Sequence, residues 1–211
     1  MKALLFDMDG TLADTEPVHL EALRRMLRHH GVDPDIPDFH DRMAGLTTEA
    51  VTALLFPGVD ANGVRDRVAM KEAHFRDLGA AIQPTPGLIE LLDQAASAGL
   101  KTGLVTNGPR INIDFLLGVL GLTGRFDTIV SALELPRAKP DPLPYLTALT
   151  NLSVNADDAV AFEDSLPGIR SATAAGLRCV GITTSQPEYA LRAAGASTIM
   201  ADFTAFSVAT A

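Results

Sequence analysis

Short apolar, β-branched runs alternate with helical patterns along most of this chain, and that alternation admits few architectures. The runs are Ala3–Phe6, Thr102–Thr106, Thr128–Val130, Ala159–Phe162, Cys179–Ile182 and Thr198–Met200. Between them lie helical stretches at Leu88–Ala98, Ile111–Leu120, Leu143–Leu149 and Gly168–Ala175, several closed by a glycine such as Gly99, Gly121 or Gly176. Strand, helix, strand in succession predicts an α/β fold, a parallel sheet with helices on both faces. Ligands of such sheets collect beyond the carboxyl ends of the strands. The residues that end each run therefore matter most.

One region breaks the rhythm. From about Thr15 to Gln83 no strand pattern is found, and helical patterns cover His19–His30, Thr48–Phe56 and Val64–Leu78. Leu20, Leu23 and Leu27 give the first of these an apolar stripe. The segment Gln83-Pro84-Thr85-Pro86-Gly87 marks the return to alternation. The expectation is an all-helical insertion after the first strand, residues 15–83, with the sheet domain built from 1–14 and 84–211.

Four strand ends carry chemistry. Ala3–Phe6 stops on Asp7-Met8-Asp9-Gly10. Two carboxylates so close repel and are costly to desolvate, so the pair is a cation site, a catalytic pair, or a solvated turn. A carboxylate can attack a phosphoryl or carbon centre or ligate Mg²⁺, and a second acid two residues on can protonate a leaving group. The second end, Thr106-Asn107-Gly108-Pro109-Arg110, offers a hydroxyl and backbone N–H groups at a helix start, an anion site or simply a helix cap. Third, Lys139 is held between Ala138 and Pro140 in a rigid proline-rich segment, where it either neutralises anionic oxygens or is a surface lysine. Fourth, Val160–Phe162 ends on Glu163-Asp164-Ser165, a second acidic group for the same cleft. Several carboxylates sharing a cleft call for a cation, and hard oxygen ligands imply Mg²⁺.

These four segments, in this order, resemble the signature motifs of the haloacid dehalogenase superfamily over essentially the whole chain. The resemblance implies a Rossmann-like core with a helical cap inserted after the first strand. It implies Asp7 as the nucleophile that becomes an aspartyl-phosphate. Asp9 would be the general acid and base and would also give a backbone oxygen to Mg²⁺. Thr106 and the amides of Asn107 and Gly108 would hold the transferring phosphoryl group, and Lys139 would stabilise its charge. Asp164, with Glu163 in support, would complete the metal site with Asp7. Asp9 is absent from the dehalogenases that name the group. It points to phosphate esters, since an alkoxide leaving group needs a proton and a halide does not.

Asp14-Thr15-Glu16-Pro17-Val18-His19 resembles the core-to-cap hinge of the sugar-phosphate phosphatases, the CbbY-type phosphatases and the β-phosphoglucomutases. There His19 would position the acid/base, or else be a polar residue of the first cap helix. Ala44-Gly45-Leu46-Thr47-Thr48-Glu49 resembles the cap loop that reaches the site. Thr48 stands near the position where the mutase carries an arginine for a second phosphate, and Gly108-Pro109-Arg110 also departs from the mutase. Arg110 could grip a distal anionic group or lie idle on a helix surface. The resemblance thus implies a Mg²⁺-dependent phosphatase of small phosphate esters, a sugar phosphate first among them. A mutase or a phosphoglycolate phosphatase is the alternative.

Composition limits the partners. A formal charge of −9 with no basic cluster argues against nucleic acid. The single Cys179, inside an apolar run, predicts a buried structural thiol and a reducing compartment. The apolar run after Met1-Lys2 is too short for a leader or a membrane span. The expectation is a cytoplasmic protein, monomer or weak dimer.

Overall fold

The computed structural model describes residues 1–35 and 48–208. Among them six strands form one wholly parallel sheet: β1 Ala3–Phe6, β2 Lys101–Thr106, β3 Thr128–Ser131, β4 Ala159–Glu163, β5 Arg178–Ile182 and β6 Thr198–Met200. Their spatial order is β3-β2-β1-β4-β5-β6. The chain winds outward one way through β2 and β3, then returns to the other side of β1 for β4 to β6. The order reverses between β1 and β4, and a crevice at the carboxyl ends follows from that reversal. Phe6 pairs in register with both Leu104 and Phe162, so the three central strands end almost level.

Eight α-helices are found among the described residues. They are α1 Glu16–His29, α2 Thr48–Leu55, α3 Ala61–Leu78, α4 Leu88–Ser97, α5 Arg110–Val119, α6 Leu143–Leu152, α7 Leu166–Ala174 and α8 Glu188–Ala194. None is long and apolar enough to cross a membrane. The chain divides into two compact units, Met1–Glu16 with Ile82–Ala211, and Pro17–Ala81.

In the first unit, β1 is buried on both faces, which is why its sequence is a continuous apolar run and does not alternate. Ala3 and Leu5 share one core with Tyr145, Ala148 and Leu149 of α6 and Ile169 and Ala172 of α7. On another side of the packing, the Phe6 and Phe162 rings stack at 5.0 Å, and Phe203 meets them edge-on at 5.8 and 5.2 Å. Phe203 is fixed by its backbone N–H, which donates to Pro86 O at 2.9 Å. Cys179 is buried in the sheet, as its surroundings in the sequence imply.

The second unit has helices and no strand among its described residues. Leu23, Met26 and Leu27 of α1 pack with Val51 of α2 and with Phe56. α3 starts three residues ahead of the Val64 expected from periodicity. Asp60 accepts the Gly63 N–H at 2.8 Å and so caps a polar first turn that carries no apolar stripe. α8 has no counterpart in the sequence pattern. It is seven residues long and buries only Leu191, too little to make a period visible.

Candidate active site

The level ends of β1, β2 and β4 bring the chemistry of the strand ends together. Asp7 follows β1 directly, and its N–H still pairs with Phe162 O of β4 at 3.0 Å. Its carboxylate is thereby held beside Glu163 and Asp164. One oxygen from each of these three buried acids lies within 4.8 Å of the others. The turn after Asp7 depends on glycine. Gly10 has φ +75°, and a Cβ there would run into the Asp164 carboxylate. The same turn lets Thr11 Oγ1 donate to Asp164 Oδ1 at 3.3 Å, while Ser185, just beyond β5, donates to Asp164 Oδ2.

Lys139 crosses this cluster from the opposite side. Its Nζ donates to Asp7 Oδ1 at 2.5 Å, to Glu163 Oε1 at 2.6 Å and to Val105 O at 2.7 Å, so all three of its protons are engaged. It is 8% exposed, which rules out a surface lysine. Glu163 is wholly buried and accepts two further bonds, from Tyr145 Oη at 2.7 Å and from Ser165 Oγ at 3.0 Å. Ser165 also accepts the Gly168 N–H at 3.1 Å and so caps α7.

The electrostatics follow from that crowding. Burial first, then the neighbouring Glu163, pushes Asp164 up to about 7. The same two causes, in the same order, raise Asp7 well above the usual carboxylate range, although Lys139 opposes them. Burial alone would lower Lys139, but Asp7 and Glu163 outweigh it and the ammonium is held more firmly than a free lysine. Three carboxylates against one ammonium leave two formal negative charges when all are ionised. A divalent cation on these oxygens would relieve the repulsion that raises Asp7 and Asp164. The donor set, carboxylate oxygens only, suits a hard cation.

The other residues singled out in the sequence fall in several places. Asp9 is half-buried and its Oδ1 accepts Thr15 Oγ1 at 2.8 Å, outside the three-acid cluster. Thr106 is buried and its hydroxyl oxygen accepts the Gly108 N–H at 2.9 Å. Gly108 O in turn accepts Ser131 Oγ at 2.8 Å, and Asn107 Oδ1 accepts the Lys139 N–H at 3.2 Å. Neither Thr106 nor Asn107 caps α5, whose cap is Pro109. Arg110 is exposed and pairs with Asp114 one turn along α5 at 3.3 Å. In the helical unit, His19 stacks on Phe75 at 4.0 Å, with the Lys71 ammonium 2.6 Å from its Nδ1. Thr48 opens α2, and its carbonyl accepts Thr52 Oγ1 at 2.7 Å. Ala44 to Thr47 of the expected cap loop lie outside the described residues.

Four residues of the cluster escape sequence reasoning: Thr11, Tyr145, Ser165 in its contact with Glu163, and Ser185. Ser185 could have been found, since Thr183-Thr184-Ser185 stands at the end of a fifth apolar run. Tyr145 gives no such signal, because a tyrosine in the first turn of an amphipathic helix reads as core.

A doubly wound parallel sheet with a lysine-bridged carboxylate cluster at its switch point defines an α/β protein with an acidic, cation-competent site. The chain belongs to the haloacid dehalogenase-like hydrolases, whose family model matches residues 4–182. It is 36% identical over 205 residues to the validoxylamine A 7'-phosphate phosphatase of Streptomyces hygroscopicus subsp. limoneus, covering 96% of this chain and 94% of that one. It is 32% identical over 188 residues to a phosphorylated carbohydrates phosphatase of Thermotoga maritima, covering 88% and 87%. Among solved structures, CbbY from Rhodobacter sphaeroides in complex with phosphate superposes with a TM-score of 0.82 at 30% identity, covering 96% of this chain and 95% of that one.

Proposed function

We propose that this protein is a phosphatase that hydrolyses small phosphate esters, a phosphorylated sugar or a close relative of one, with Mg²⁺ as its metal. The observation that carries the reading is the Lys139 ammonium bridging Asp7 and Glu163 beside Asp164. It fixes one oxygen of a buried carboxylate within a cluster of charged groups, leaving the other oxygen for attack. Relatives named as a phosphorylated carbohydrates phosphatase and a validoxylamine A 7'-phosphate phosphatase support the substrate class.

In this reading Asp7 Oδ2 attacks phosphorus while Lys139 holds Oδ1 and favours the ionised form. The ester O–P bond breaks as the Asp7 O–P bond forms, and Asp9 gives its proton to the departing oxygen. Thr106, whose oxygen accepts from Gly108, directs its own proton to a phosphoryl oxygen, joined by the Asn107 N–H. Asp9, now a carboxylate, takes a proton from water as that water attacks phosphorus, and Asp7 is released. Asp7, Asp164, Glu163 and the Asp9 backbone oxygen would hold Mg²⁺, which would supply positive charge to offset the phosphoryl oxygens. Catalysis is then positioning and charge neutralisation, as a loose phosphoryl-transfer transition state requires. Residues 15–83 serve as the cap domain of this proposal, and Arg110 of the sheet domain is assigned to a distal anionic group of the substrate.

The test is phosphate release from phosphorylated sugars, glycolate phosphate and an aryl phosphate, with and without Mg²⁺. Mg²⁺-dependent release is expected, strongest on one sugar class. Asp7→Asn should abolish it with the fold intact. Asp9→Asn should slow first-turnover release of the aryl alcohol less than that of an alkyl alcohol, since an aryl group departs without a proton. No release from any ester, together with isomerisation of a sugar phosphate primed by a bisphosphate, would overturn the phosphatase reading.

A further inference from the structure

Tyr145 is the largest side chain buried completely, and it belongs to the core cluster packed against β1, β4 and β5. A phenylalanine would fill that space without burying a hydroxyl, and a hydroxyl at such depth is costly unless it is bonded. The bond it makes is specific. Tyr145 Oη donates at 2.7 Å to Glu163 Oε1, the same oxygen that accepts Lys139 Nζ at 2.6 Å. The ring also sits under the ammonium, with Nζ 5.2 Å from its centroid. Tyr145 thus touches both members of the pair that faces Asp7, from the side away from solvent.

We propose that Tyr145 is a positioning residue for phosphoryl transfer, holding Glu163 and, through it, the Lys139 ammonium in the orientation that presents Asp7. Three acceptors fix Lys139, namely Asp7 Oδ1, Val105 O and Glu163 Oε1. Val105 O belongs to β2 and cannot turn. Asp7 and Glu163 are the acceptors with torsional freedom, and the Glu163 carboxylate is pinned from two sides, Oε1 by Tyr145 and Oε2 by Ser165. Without the Tyr145 hydroxyl, Glu163 can swing about its last torsion, and the ammonium follows it away from Asp7. Tyr145 is well placed for this by the covalent chain, since α6 begins four residues after Lys139 and carries the tyrosine in its first turn. A charge that stabilises a transition state works best when it needs no reorganisation at the moment of reaction. Tyr145 reaches no substrate and is not a catalytic residue.

The kinetic arm of the test rests on the phosphatase reading; a second arm does not. Tyr145→Phe keeps the ring and removes only the hydroxyl, so the variant keeps the packing of the core. In wild-type protein, the Lys139 side-chain ammonium, buried with all three protons bonded, should give a slowly exchanging ¹⁵N NMR signal assignable by through-bond correlation along its side chain. In Tyr145→Phe that signal should shift and exchange faster or broaden away. The variant's kcat should fall about tenfold with KM within about twofold, the pattern of an interaction made in the transition state. A residue that only filled space would leave the ammonium signal where it was. An unchanged Lys139 signal, or an unchanged kcat in an active enzyme, overturns the proposal. If the wild type releases no phosphate, the phosphatase reading fails and the NMR comparison alone decides the role of Tyr145.

Discussion

Replacing Lys139 by methionine tests how strongly the acidic cluster leans on one cation. The ammonium serves two buried carboxylates, at 2.5 and 2.6 Å, and a backbone carbonyl at 2.7 Å. Removing one partner of a buried ion pair destabilises by about 3–5 kcal/mol, because the remaining charge is left uncompensated. With two carboxylates stranded the upper part of that range applies, about 4–5 kcal/mol near pH 8. At 2–4 °C per kcal/mol for a chain of this size, the melting temperature should drop by roughly 8–20 °C. The loss must also depend on pH. Asp7 is already raised by burial and by Glu163, and Lys139 is what opposes them. Without Lys139 the native state binds an extra proton at Asp7 that the unfolded chain does not. Across the pH range where the wild type has released that proton and the variant has not, each pH unit costs the variant about 1.4 kcal/mol more. The sign is fixed: the variant's deficit is small near pH 5.5 and grows towards pH 8. Urea unfolding followed by far-UV circular dichroism, in chelator at both pH values, measures it. A deficit under about 1 kcal/mol, or one equal at the two pH values, would refute the reasoning, since exposed pairs behave that way.

Two further outcomes follow from the same cluster. Gly168 lies in the first turn of α7, where alanine ordinarily stabilises a helix by up to about 1 kcal/mol. Here its Cβ would land on the Glu163 carboxylate, so Gly168→Ala should destabilise by about 1–3 kcal/mol, and a raised melting temperature would contradict this. Asp164, pushed up from 3.8 to about 7 by burial and then Glu163, gives stability that is fully present below about pH 4 and lost as pH rises through 7. The chelated protein should therefore lose on the order of a few kcal/mol over that window, and saturating Mg²⁺ should raise the melting temperature more at pH 8 than at pH 5.5. Equal shifts by differential scanning fluorimetry would exclude Asp164 from the metal site.

The sequence by itself determined the strands and most of the helices, because periodicity and terminal glycines are local signals. β1 reads as Ala3–Phe6 from its apolar run alone, and the structure has the same bounds. The ends of apolar runs also brought Asp7, Thr106, Glu163 and Asp164 to notice one by one, and the proline-rich segment brought Lys139. Helices whose cue is a single residue escaped that reading: α8 rests on Leu191, and the first turn of α3 on the Asp60 cap. What only the tertiary structure decided is who touches whom. Lys139 could have been a surface lysine, and Thr106 a helix cap. The fold buries the first against Asp7, 132 residues away in sequence, and turns the second onto Gly108. Tyr145, Thr11 and Ser185 join the cluster only because the sheet order sets β1 between β2 and β4, with β5 next. A local pattern encodes the conformation of a segment, whereas the partners of a buried charge are fixed by strand pairing, which no single segment contains.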